Sequence, residues 1–375
     1  MNDKIFNTYS NAKDIYDIII ENITKEWYIS MHENNNTNIW EEPKYSRNQI
    51  DKAGRKIATK SYSEDEFKNA LPILNNWRSS HAYPLQVIAN DLRHENPNDI
   101  VVQRLKRLDS IIAKLQRKRG TSLYTMQDLG GCRLIVESIG NVYQAINNFK
   151  NSHTQYILKR ENDYIQNPKT SGYRSYHIVY KFQEDKKEIY NDKNILIEIQ
   201  FRTKLQHIWA TAVEVMGVYT KSQLKASIGD EDILNFFTLT SSLFALEENT
   251  PTCPNTSDDY DTIVSELKKI DKKLNIINKL SGISVAIKHA NDNISGIAYY
   301  LLQLNYTKNV VRVNGFKTEQ IEIATTAYNQ IEALNNKNMD AVLVSATSFE
   351  ELKAAYPNYF ADITQFIRKM RKIFK

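Results

Sequence analysis

The sequence predicts an α/β fold in which helices flank a β-sheet, followed by a smaller α+β unit. Three runs rich in β-branched and aromatic residues, CRLIVES, YHIVYKF and NILIEIQF, predict strands, and segments with helical spacing surround them. Around 245–260 the polar sequence EENTPTCPNTSDDY is typical of a linker. We therefore predict a main unit over residues 1–245, a linker over 246–262 and a C-terminal unit over 263–375.

Within the main unit, two short helices interrupted by Pro72 and Pro84 are predicted ahead of the strands. A basic helix is predicted from Asp99 to Arg119, and HIWATAVEVMG predicts another helix after the third strand.

In the C-terminal unit, a helix over SELKKIDKKLNIINKL precedes two strands, AYYLLQLNY and NVVRVNGF. A helix near 317–335, the strand DAVLVS and a final helix follow. The final helix opens with the capping-box pattern Ser348-Phe-Glu-Glu351 and contains the sequence AAYPNYF.

The composition is ordinary for a globular protein and favours a reducing compartment. The 375 residues include 49 basic and 44 acidic ones, so a net charge of +5 does not by itself indicate nucleic-acid binding. Two distant cysteines, Cys132 and Cys253, form neither a disulfide framework nor a zinc knuckle. The first residues have no apolar core typical of a signal peptide, and no membrane span is apparent. We expect a cytoplasmic protein with no membrane partner.

Alternation in NILIEIQFRT separates an apolar strand face from a polar one. The polar face places Glu198, Gln200 and Arg202 in a row, although any half-exposed strand would show the same pattern. Asp128 stands just before another strand, and Gly130-Gly131 after it indicates either a close backbone approach or a simple turn. Asp128 and Glu198 together offer hard oxygen ligands suited to Mg²⁺ bound to phosphates.

A cluster of basic residues lies in VVQRLKRLDSIIAKLQRKRG. Seven cations face a single acid, Asp109, while the apolar residues occupy a separate stripe. Like charges at this density repel one another unless an anion pairs with them, which favours a polyphosphate or nucleic-acid ligand over a solvated face. The cations are Arg104, Lys106, Arg107, Lys114, Arg117, Lys118 and Arg119.

The stretch PKTSGYRSYH combines a glycine bend with an aromatic ring at the start of a strand. Tyr173 follows Gly172 and suits base stacking, while Lys169 and His177 can meet phosphates. A tyrosine packed on the sheet is the alternative. Neither a Walker nor a Rossmann glycine loop occurs in the sequence.

Taken in order, these segments resemble the RelA/SpoT-type synthetase domain over roughly residues 75–220. The resemblance rests on Arg104-x-Lys106 with Ser110 and Lys114, on DLGGCR, on PKTSGYRSYH and on IEIQFRT. It implies a mixed β-sheet flanked by helices, similar to nucleotidyltransferases. It also implies transfer of the β,γ-pyrophosphate of ATP to a ribose 3′-hydroxyl with release of AMP, which depends mainly on positioning and charge neutralisation.

The same resemblance implies a role for individual residues. Asp128 and Glu198 match the catalytic, Mg²⁺-binding carboxylates, and Glu198 also matches the base for the attacking hydroxyl. The ATP-binding positions are Arg104, Lys106, Ser110, Lys114 and Arg133. The acceptor-binding positions are Lys169, Tyr173, His177 and Gln200, with Tyr173 stacking on the acceptor base.

Two departures from the family pattern refine the expected function. The chain has no His-Asp dipeptide, so the family's hydrolase site is not expected. In the helix after IEIQ, Glu214 is kept but Val215 stands where alarmone synthetases tend to carry His. The sequence HIWATAVEVMG resembles the toxic small alarmone synthetases that pyrophosphorylate the 3′ end of tRNA and stop translation.

Near the C-terminus, YPNYF resembles the YxxY element of CapRel-type fused toxin–antitoxin proteins. The resemblance implies a C-terminal antitoxin domain, similar to a zinc finger without zinc, that holds Tyr356 and Tyr359 over the ATP site. It also implies release by a phage structural protein such as the major capsid protein. Two core aromatic residues on one face of a terminal helix are the alternative interpretation.

The leading prediction is therefore an autoinhibited tRNA pyrophosphotransferase of anti-phage defence. An alternative is a (p)ppGpp synthetase with a regulatory C-terminal domain. A catalytically dead nucleotide-sensing or RNA-binding module is a third interpretation, disfavoured because Asp128 and Glu198 are both kept.

Overall fold

The computed structural model describes most of the chain beyond residue 39. The described residues are 40–59, 64–117, 121–184, 188–220, 224, 228–281, 286–289, 296–305, 310–333, 339–346, 348–357, 360 and 363–375. Tyr359, one of the two predicted inhibitory tyrosines, lies outside them. In these ranges no helix combines the length and apolar character needed to span a bilayer.

A nine-stranded mixed sheet forms the centre of the protein. Its strands are β1 Ile100–Leu105, β2 Gly130–Val136, β3 Ile157–Asp163, β4 Tyr176–Lys181, β5 Leu196–Thr203, β6 Ala286–His289, β7 Tyr299–Asn305, β8 Val310–Phe316 and β9 Met339–Ser345. Their order across the sheet is β3-β4-β5-β2-β1-β9-β7-β8-β6. β2 runs parallel to β5 and β6 parallel to β8, and the other pairs are antiparallel.

Helices flank this sheet, as the sequence predicts. They are α1 Arg47–Ala58, α2 Glu64–Ser79, α3 Ala82–Glu95, α4 Leu108–Arg117, α5 Ile139–Ser152, α6 Glu188–Asn191, α7 Lys204–Tyr219, α8 Glu231–Glu247, α9 Tyr260–Leu274, α10 Ile276–Ser281, α11 Ile321–Ala333, α12 Phe349–Ala355 and α13 Thr364–Ile373. The predicted mixed sheet flanked by helices is confirmed.

The predicted basic helix from Asp99 to Arg119 is wrong in its first half. Residues 100–105 form β1 and residues 108–117 are helical, while Lys118 and Arg119 lie outside the described residues. Val101 and Val102 are β-branched and fully buried, and β1 pairs with β2 along its whole length. Burial within the sheet outweighs the helical spacing of the apolar residues, so Arg104 lies on β1 and Lys106 lies between β1 and α4.

The predicted final helix is also divided. α12 ends at Ala355, and Tyr356 follows as its C-cap residue with φ −128° and ψ 48°. Pro357 comes next, and α13 begins only at Thr364. Proline disfavours the helical conformation in the residue before it, which accounts for the break. The expectation that Tyr356 lies on a helix face is therefore wrong, and the expectation for Tyr359 lies outside the described residues.

Four hydrophobic cores connect the described strands and helices, and one of them packs α11 against β7, β8 and β9. One lies between the sheet and the helices that precede α7. A second is shared by α7, α8, α9, α10 and α13. In the third, Val102 of β1 packs with residues of β7, β8 and β9 and with Tyr356. Residues on both sides of the predicted linker 246–262 thus pack together, and the proposed domain boundaries stay a prediction.

A buried ion pair connects α11 to the helices before β1. The Arg78 guanidinium donates to the Glu332 carboxylate, and the two side chains are 0% and 7% exposed. The other Glu332 oxygen accepts hydrogen bonds from the Leu108 backbone N–H at 2.8 Å and from the Tyr328 hydroxyl at 2.9 Å. Glu332 therefore caps the N-terminus of α4 from a distant part of the chain.

Candidate active site

The predicted catalytic residues meet at a small cavity beside β1, β2 and β5. Its volume is about 60 Å³. It is lined by Val102, Arg104, Lys106, Asp128, Gly131, Cys132, Arg133, Glu198, Gln200 and Tyr356. The parallel register pairs Gly131 with Glu198, so the chain just after Asp128 runs beside the strand that carries Glu198. This sheet register brings the two carboxylates, 70 positions apart in sequence, to one cavity.

Asp128 lies between two lysines. Its Oδ2 accepts from Lys106 Nζ and its Oδ1 from Lys114 Nζ, each at 2.8 Å. Burial alone would raise the pKa of Asp128, but the two ammonium groups outweigh it and lower that pKa to about 2. Burial, together with the charges of Arg104 and Lys114, lowers the pKa of Lys106 although Asp128 raises it. Asp128 is thus ionised at neutral pH. Lys106 and Lys114 place two positive charges where they could neutralise bound phosphates.

Glu198 belongs to a closed ring of hydrogen bonds on the polar face of β5. Its Oε1 lies 3.0 Å from His177 Nδ1, and its Oε2 accepts from Gln200 Nε2 at 2.8 Å. His177 Nε2 lies 2.7 Å from the Tyr173 hydroxyl, which accepts from Arg202 at 2.6 Å. Arg202 also donates to Gln200 Oε1 at 3.1 Å, which closes the ring. The ring fixes the orientation of Glu198 and ties it to Tyr173.

The charges of this ring determine its protonation. Burial tends to raise the pKa of Glu198, but His177 and the Gln200 amide lower it overall. Burial tends to lower the pKa of His177, but Tyr173 and Glu198 raise it overall. An imidazolium beside a carboxylate is favoured, and the protonated ring can donate to both neighbours.

Guanidinium groups add positive charge to the cavity. Arg133 donates from Nε to Gln200 Oε1 at 3.4 Å. Burial, and then the nearby charge of Arg202, lower the pKa of Arg133 to about 10. Grouping Arg133 with Arg202 and Arg104 is electrostatically unfavourable without an anion, and planar guanidinium groups match phosphate oxygens well.

Tyr173 presents its ring among cations and another aromatic ring. Lys169 Nζ lies 5.0 Å from the centre of the Tyr173 ring and 4.3 Å from that of Tyr164. The Arg202 guanidinium lies 5.1 Å from the Tyr173 ring centre. The loop that carries this ring, residues 168–175, is called the acceptor loop below.

α7 and α8 hold the acceptor loop from behind. Gly172 has φ +87°, and a Cβ there would lie 2.7 Å from Trp209 and 3.0 Å from Ser241. Ser241 donates to the Gly172 carbonyl at 2.6 Å and accepts from buried Arg174 at 3.0 Å. Glycine is needed here both for the positive φ and for the close approach of the helices.

The backbone approach predicted at Gly130-Gly131 is present inside the sheet. A Cβ on Gly130 would lie 2.8 Å from Ile197 Cδ1 and 3.3 Å from His81 Cβ. Gly130 therefore serves close strand and helix packing, whereas a Cβ on Gly131 would make an ordinary contact, 3.7 Å from the Glu198 carbonyl oxygen.

The C-terminal unit supplies one wall of the cavity. Tyr356, only 4% exposed, lines it beside Arg104 and Arg133. His207, at the start of α7, is 3.1 Å from the Ala354 carbonyl of α12. β9 also pairs with β1 through Gln103–Ser345 and Arg104–Val344. Three separate contacts therefore fix the position of Tyr356.

The structure brings most of the predicted site residues together. The cavity and the ring of hydrogen bonds unite the two carboxylates with six of the nine predicted ATP-binding and acceptor-binding positions. Lys114 contacts the site through Asp128, and Lys169 through the Tyr173 ring. Ser110 is half-buried on α4 and does not line the cavity. Sequence reasoning left Arg202 unassigned although it belongs to the same alternating face. It gave no role to Tyr164, because β3 was not predicted.

The carboxylates present suit a magnesium ion bound together with phosphates. Mg²⁺ commonly takes one or two carboxylates plus substrate oxygens, and Asp128 and Glu198 both reach this cavity. In the described ranges no group of three or more His, Cys, Asp or Glu is placed to hold a metal. Two carboxylates alone therefore suit an ion that arrives with the nucleotide.

Part of the chain is similar to known proteins. The sequence model described as "Region found in RelA / SpoT proteins" matches residues 103–223. GTP pyrophosphokinase YjbM of Bacillus subtilis is 33% identical over 120 residues, which are 31% of this chain and 54% of that protein. GTP pyrophosphokinase YwaC of the same organism is 31% identical over 148 residues, 38% of this chain and 69% of that protein. The chain thus spans about half of YjbM and about two thirds of YwaC.

Two solved structures are similar over part of the chain. A GTP pyrophosphokinase family protein from Streptococcus pneumoniae has 26% identity and a TM-score of 0.38, covering 49% of this chain and 90% of that one. Small alarmone synthetase 1 of Bacillus subtilis bound to its product pppGpp has 27% identity and a TM-score of 0.35, covering 44% and 84%.

The fold and the relatives define the class, an α/β protein that is similar in sequence to GTP pyrophosphokinases. More particularly, the chain belongs to the RelA/SpoT family.

Proposed function

We propose that this protein transfers the β,γ-pyrophosphate of ATP to a ribose 3′-hydroxyl and releases AMP. The observation that carries the proposal is one cavity lined by two ionised carboxylates, Asp128 and Glu198, and by the cations Arg104, Lys106 and Arg133. Phosphoryl-type transfer depends on neutralising phosphate charge and aligning the attacking oxygen, and this set of residues can do both. The named relatives are GTP pyrophosphokinases, which supports the reaction class.

In this mechanism the lysines and arginines bind the triphosphate. The 3′-hydroxyl oxygen attacks the β-phosphorus, the bond from that phosphorus to the α-phosphate oxygen breaks, and AMP leaves. Glu198 accepts the hydroxyl proton. Asp128 and Glu198 would hold Mg²⁺, which would neutralise charge on the phosphate oxygens. Lys106 and Lys114 then turn from Asp128 towards the phosphates, and Ser110 stays a predicted ATP contact.

The acceptor we propose is the 3′ end of tRNA. Tyr173 offers a ring for a terminal base, with Lys169 and His177 beside it for phosphate. Val215 occupies the place where the family resemblance implies His in alarmone synthetases, and it is buried in an apolar core. A (p)ppGpp synthetase is the second candidate, favoured by the names of the relatives.

We further propose that the C-terminal unit inhibits the enzyme. With Tyr356 in place, the cavity of about 60 Å³ is several times smaller than the roughly 300 Å³ or more of a typical nucleotide-sized site. ATP binding therefore requires Tyr356 to leave. The proposed trigger is a phage structural protein such as the major capsid protein, which would bind the open state more tightly than the closed one.

One acceptor assay tests the transfer. Protein is incubated with γ-labelled ATP and bulk tRNA, GDP or GTP, using the wild type, Tyr356→Ala and Tyr356→Ala with Glu198→Gln. We expect label on tRNA with Tyr356→Ala and none when Glu198 is replaced. Label only on GDP or GTP would favour the second candidate and refute the tRNA acceptor.

The inhibition is tested by comparing two substitutions of one residue. Tyr356→Phe keeps the ring in the cavity and should remain inhibited, whereas Tyr356→Ala should be active. Equal activity of the wild type and Tyr356→Ala, with unchanged thermal unfolding, would show that Tyr356 does not inhibit.

A further inference from the structure

Five exposed cations form a surface on the last helices, which we call the C-terminal basic face. Its members are Lys279, Arg368, Arg371, Lys372 and Lys375. On α13, positions 368, 371 and 372 fall on one side of the helix, because residues three and four apart are neighbours, and Lys375 follows the end of the helix. Neither α10 nor α13 contains an acidic residue. The face lies outside residues 103–223, the part matched by the family model.

The opposite side of α13 is fully used inside the protein. Phe366 and Met370 are completely buried in the core shared with α7, α8, α9 and α10. Arg371 also donates to Ser281 of α10 at 3.0 Å, which joins the two helices that carry the face. An amphipathic basic helix can bind a membrane or a groove only through its apolar side, and here that side is not available. The side of α13 that a partner can contact is therefore the exposed side, which carries the cations.

Charge repulsion indicates an anionic partner. Like charges three and four positions apart destabilise a helix, and no acid on α10 or α13 offsets them. On neighbouring helices, Glu247 pairs with Lys369 and Asp232 with Lys273, outside the basic face. A row of phosphates at helical or strand spacing provides the missing counter-charge.

The basic face lies close behind the acceptor loop. The Phe366 ring packs on Phe237 of α8, with ring centres 6.1 Å apart. The Phe237 carbonyl accepts from Trp209 Nε1 at 2.8 Å and would lie 3.3 Å from a Cβ on Gly172. α8 is thus the single layer between α13 and the acceptor loop. One helix layer places the outer surface of α13 roughly 20 Å from that loop, about six nucleotide steps of 3.4 Å.

We infer that the C-terminal basic face binds the phosphate backbone of the RNA acceptor, on the stem that precedes the reacting 3′ end. The inference rests on the proposed RNA acceptor and adds where the body of that RNA lies. A free guanosine nucleotide is too short to reach from Tyr173 to α13. The basic face therefore distinguishes RNA from mononucleotide acceptors through charge alone, without reading sequence.

Direct binding tests the inference without relying on turnover. The variant is Arg368→Glu with Lys372→Glu, two exposed side chains whose replacement leaves the Arg371–Ser281 and Lys369–Glu247 contacts intact. The control is Lys52→Glu with Arg55→Glu, an equal charge reversal on exposed positions of α1. Both are made in the full chain carrying Tyr356→Ala and Glu198→Gln, and the dissociation constant for bulk tRNA is measured between about 0.05 and 0.2 M salt.

We expect the variant to bind tRNA about ten-fold more weakly at ~0.1 M salt, and its salt slope to fall by about two. The control should keep both values. In active protein, the variant should raise KM for tRNA and leave KM for ATP unchanged. An unchanged tRNA affinity and salt slope would overturn the inference, and so would an equal loss in the control. Binding to anionic phospholipid vesicles without binding to tRNA would overturn it as well.

The proposed function and this inference fail in different ways. Label on GDP or GTP alone, with tRNA binding that still depends on Arg368 and Lys372, would refute the acceptor and keep an RNA-binding face. Label on tRNA with binding insensitive to these residues would keep the acceptor and refute the face.

Discussion

Replacing Glu332 by glutamine tests whether α11 holds the enzyme in its closed form. In the structure, the Glu332 carboxylate neutralises fully buried Arg78 and accepts the backbone N–H of Leu108, the first residue of α4. Burial tends to lower the pKa of Arg78, but Glu332 raises it overall, so the guanidinium is charged. Glutamine keeps one acceptor oxygen and removes the counter-charge. The closed form is then left with an unpaired buried cation.

The expected change in the equilibrium between the closed and open forms follows from the burial of the Arg78–Glu332 pair. Removing one partner of a buried ion pair costs about 3–5 kcal/mol, and the amide recovers part of this as a hydrogen bond. We take about 3 kcal/mol, which is roughly a 100-fold change in an equilibrium constant. In an open form both side chains would be hydrated and the substitution nearly neutral. Opening should therefore become about 100 times more favourable.

The assay is AMP release from ATP in the presence of tRNA, for the wild type and for Glu332→Gln. The control is Glu319→Gln, which removes an equal charge from an exposed position just before α11. We expect a large increase for Glu332→Gln, up to the rate of Tyr356→Ala, and none for the control. Limited proteolysis should cleave the C-terminal unit faster in Glu332→Gln. Unchanged activity and proteolysis in a folded Glu332→Gln protein would refute the interpretation that the Arg78–Glu332 pair holds the enzyme in its closed form.

Three further predictions concern the site itself, each made in the Tyr356→Ala background. Asp128→Asn removes the counter-charge of two lysines and a proposed metal ligand, so turnover should fall about 10³-fold; near-normal turnover would contradict the proposed role. Gly172→Ala imposes a positive φ on alanine and a clash with Trp209, at about 1–3 kcal/mol, so KM for the acceptor should rise more than KM for ATP. The raised pKa of His177 means that the folded protein holds a proton more tightly, so this stabilisation is complete below the ordinary pKa and is lost as pH rises through the raised one. The unfolding free energy lost in His177→Gln, measured with urea, should be larger at about pH 6 than at about pH 9; a larger loss at the higher pH would contradict it.

The sequence predicted those parts of the site that depend on local alternation. The polar face of β5 is present as expected because residues 195–201 at odd positions are all fully buried, which forces Glu198 and Gln200 to the other side. The cluster of cations was also predicted, since Lys106 and Lys114 lie within one short stretch of chain, but their pairing with Asp128 was not. Strand periodicity and charge density are local properties, so a sequence can show them.

The other features of the fold and of the site depend on contacts between distant parts of the chain. The segment around Val101 and Val102 has the spacing of a helix, and only its place between β2 and β9 makes it a strand. The Arg78–Glu332 pair joins residues 254 positions apart, and no local sequence pattern predicts it. For Tyr356, the break before Pro357 could have been read from the sequence, but its position in the cavity could not.

The strand pairing that closes the sheet has a consequence for how the enzyme can be released. β9 meets β1 through two residue pairs, whereas it meets β7 through seven. Separation of β9 from β1 leaves the pairing of β6, β7, β8 and β9 intact. These four strands can therefore move away from β1 as one rigid unit. The same movement exposes the edge of β1 next to Arg104. An extended peptide could pair with this exposed edge as an additional strand. A partner inserted there would prevent reclosure by occupying the strand that β9 had left.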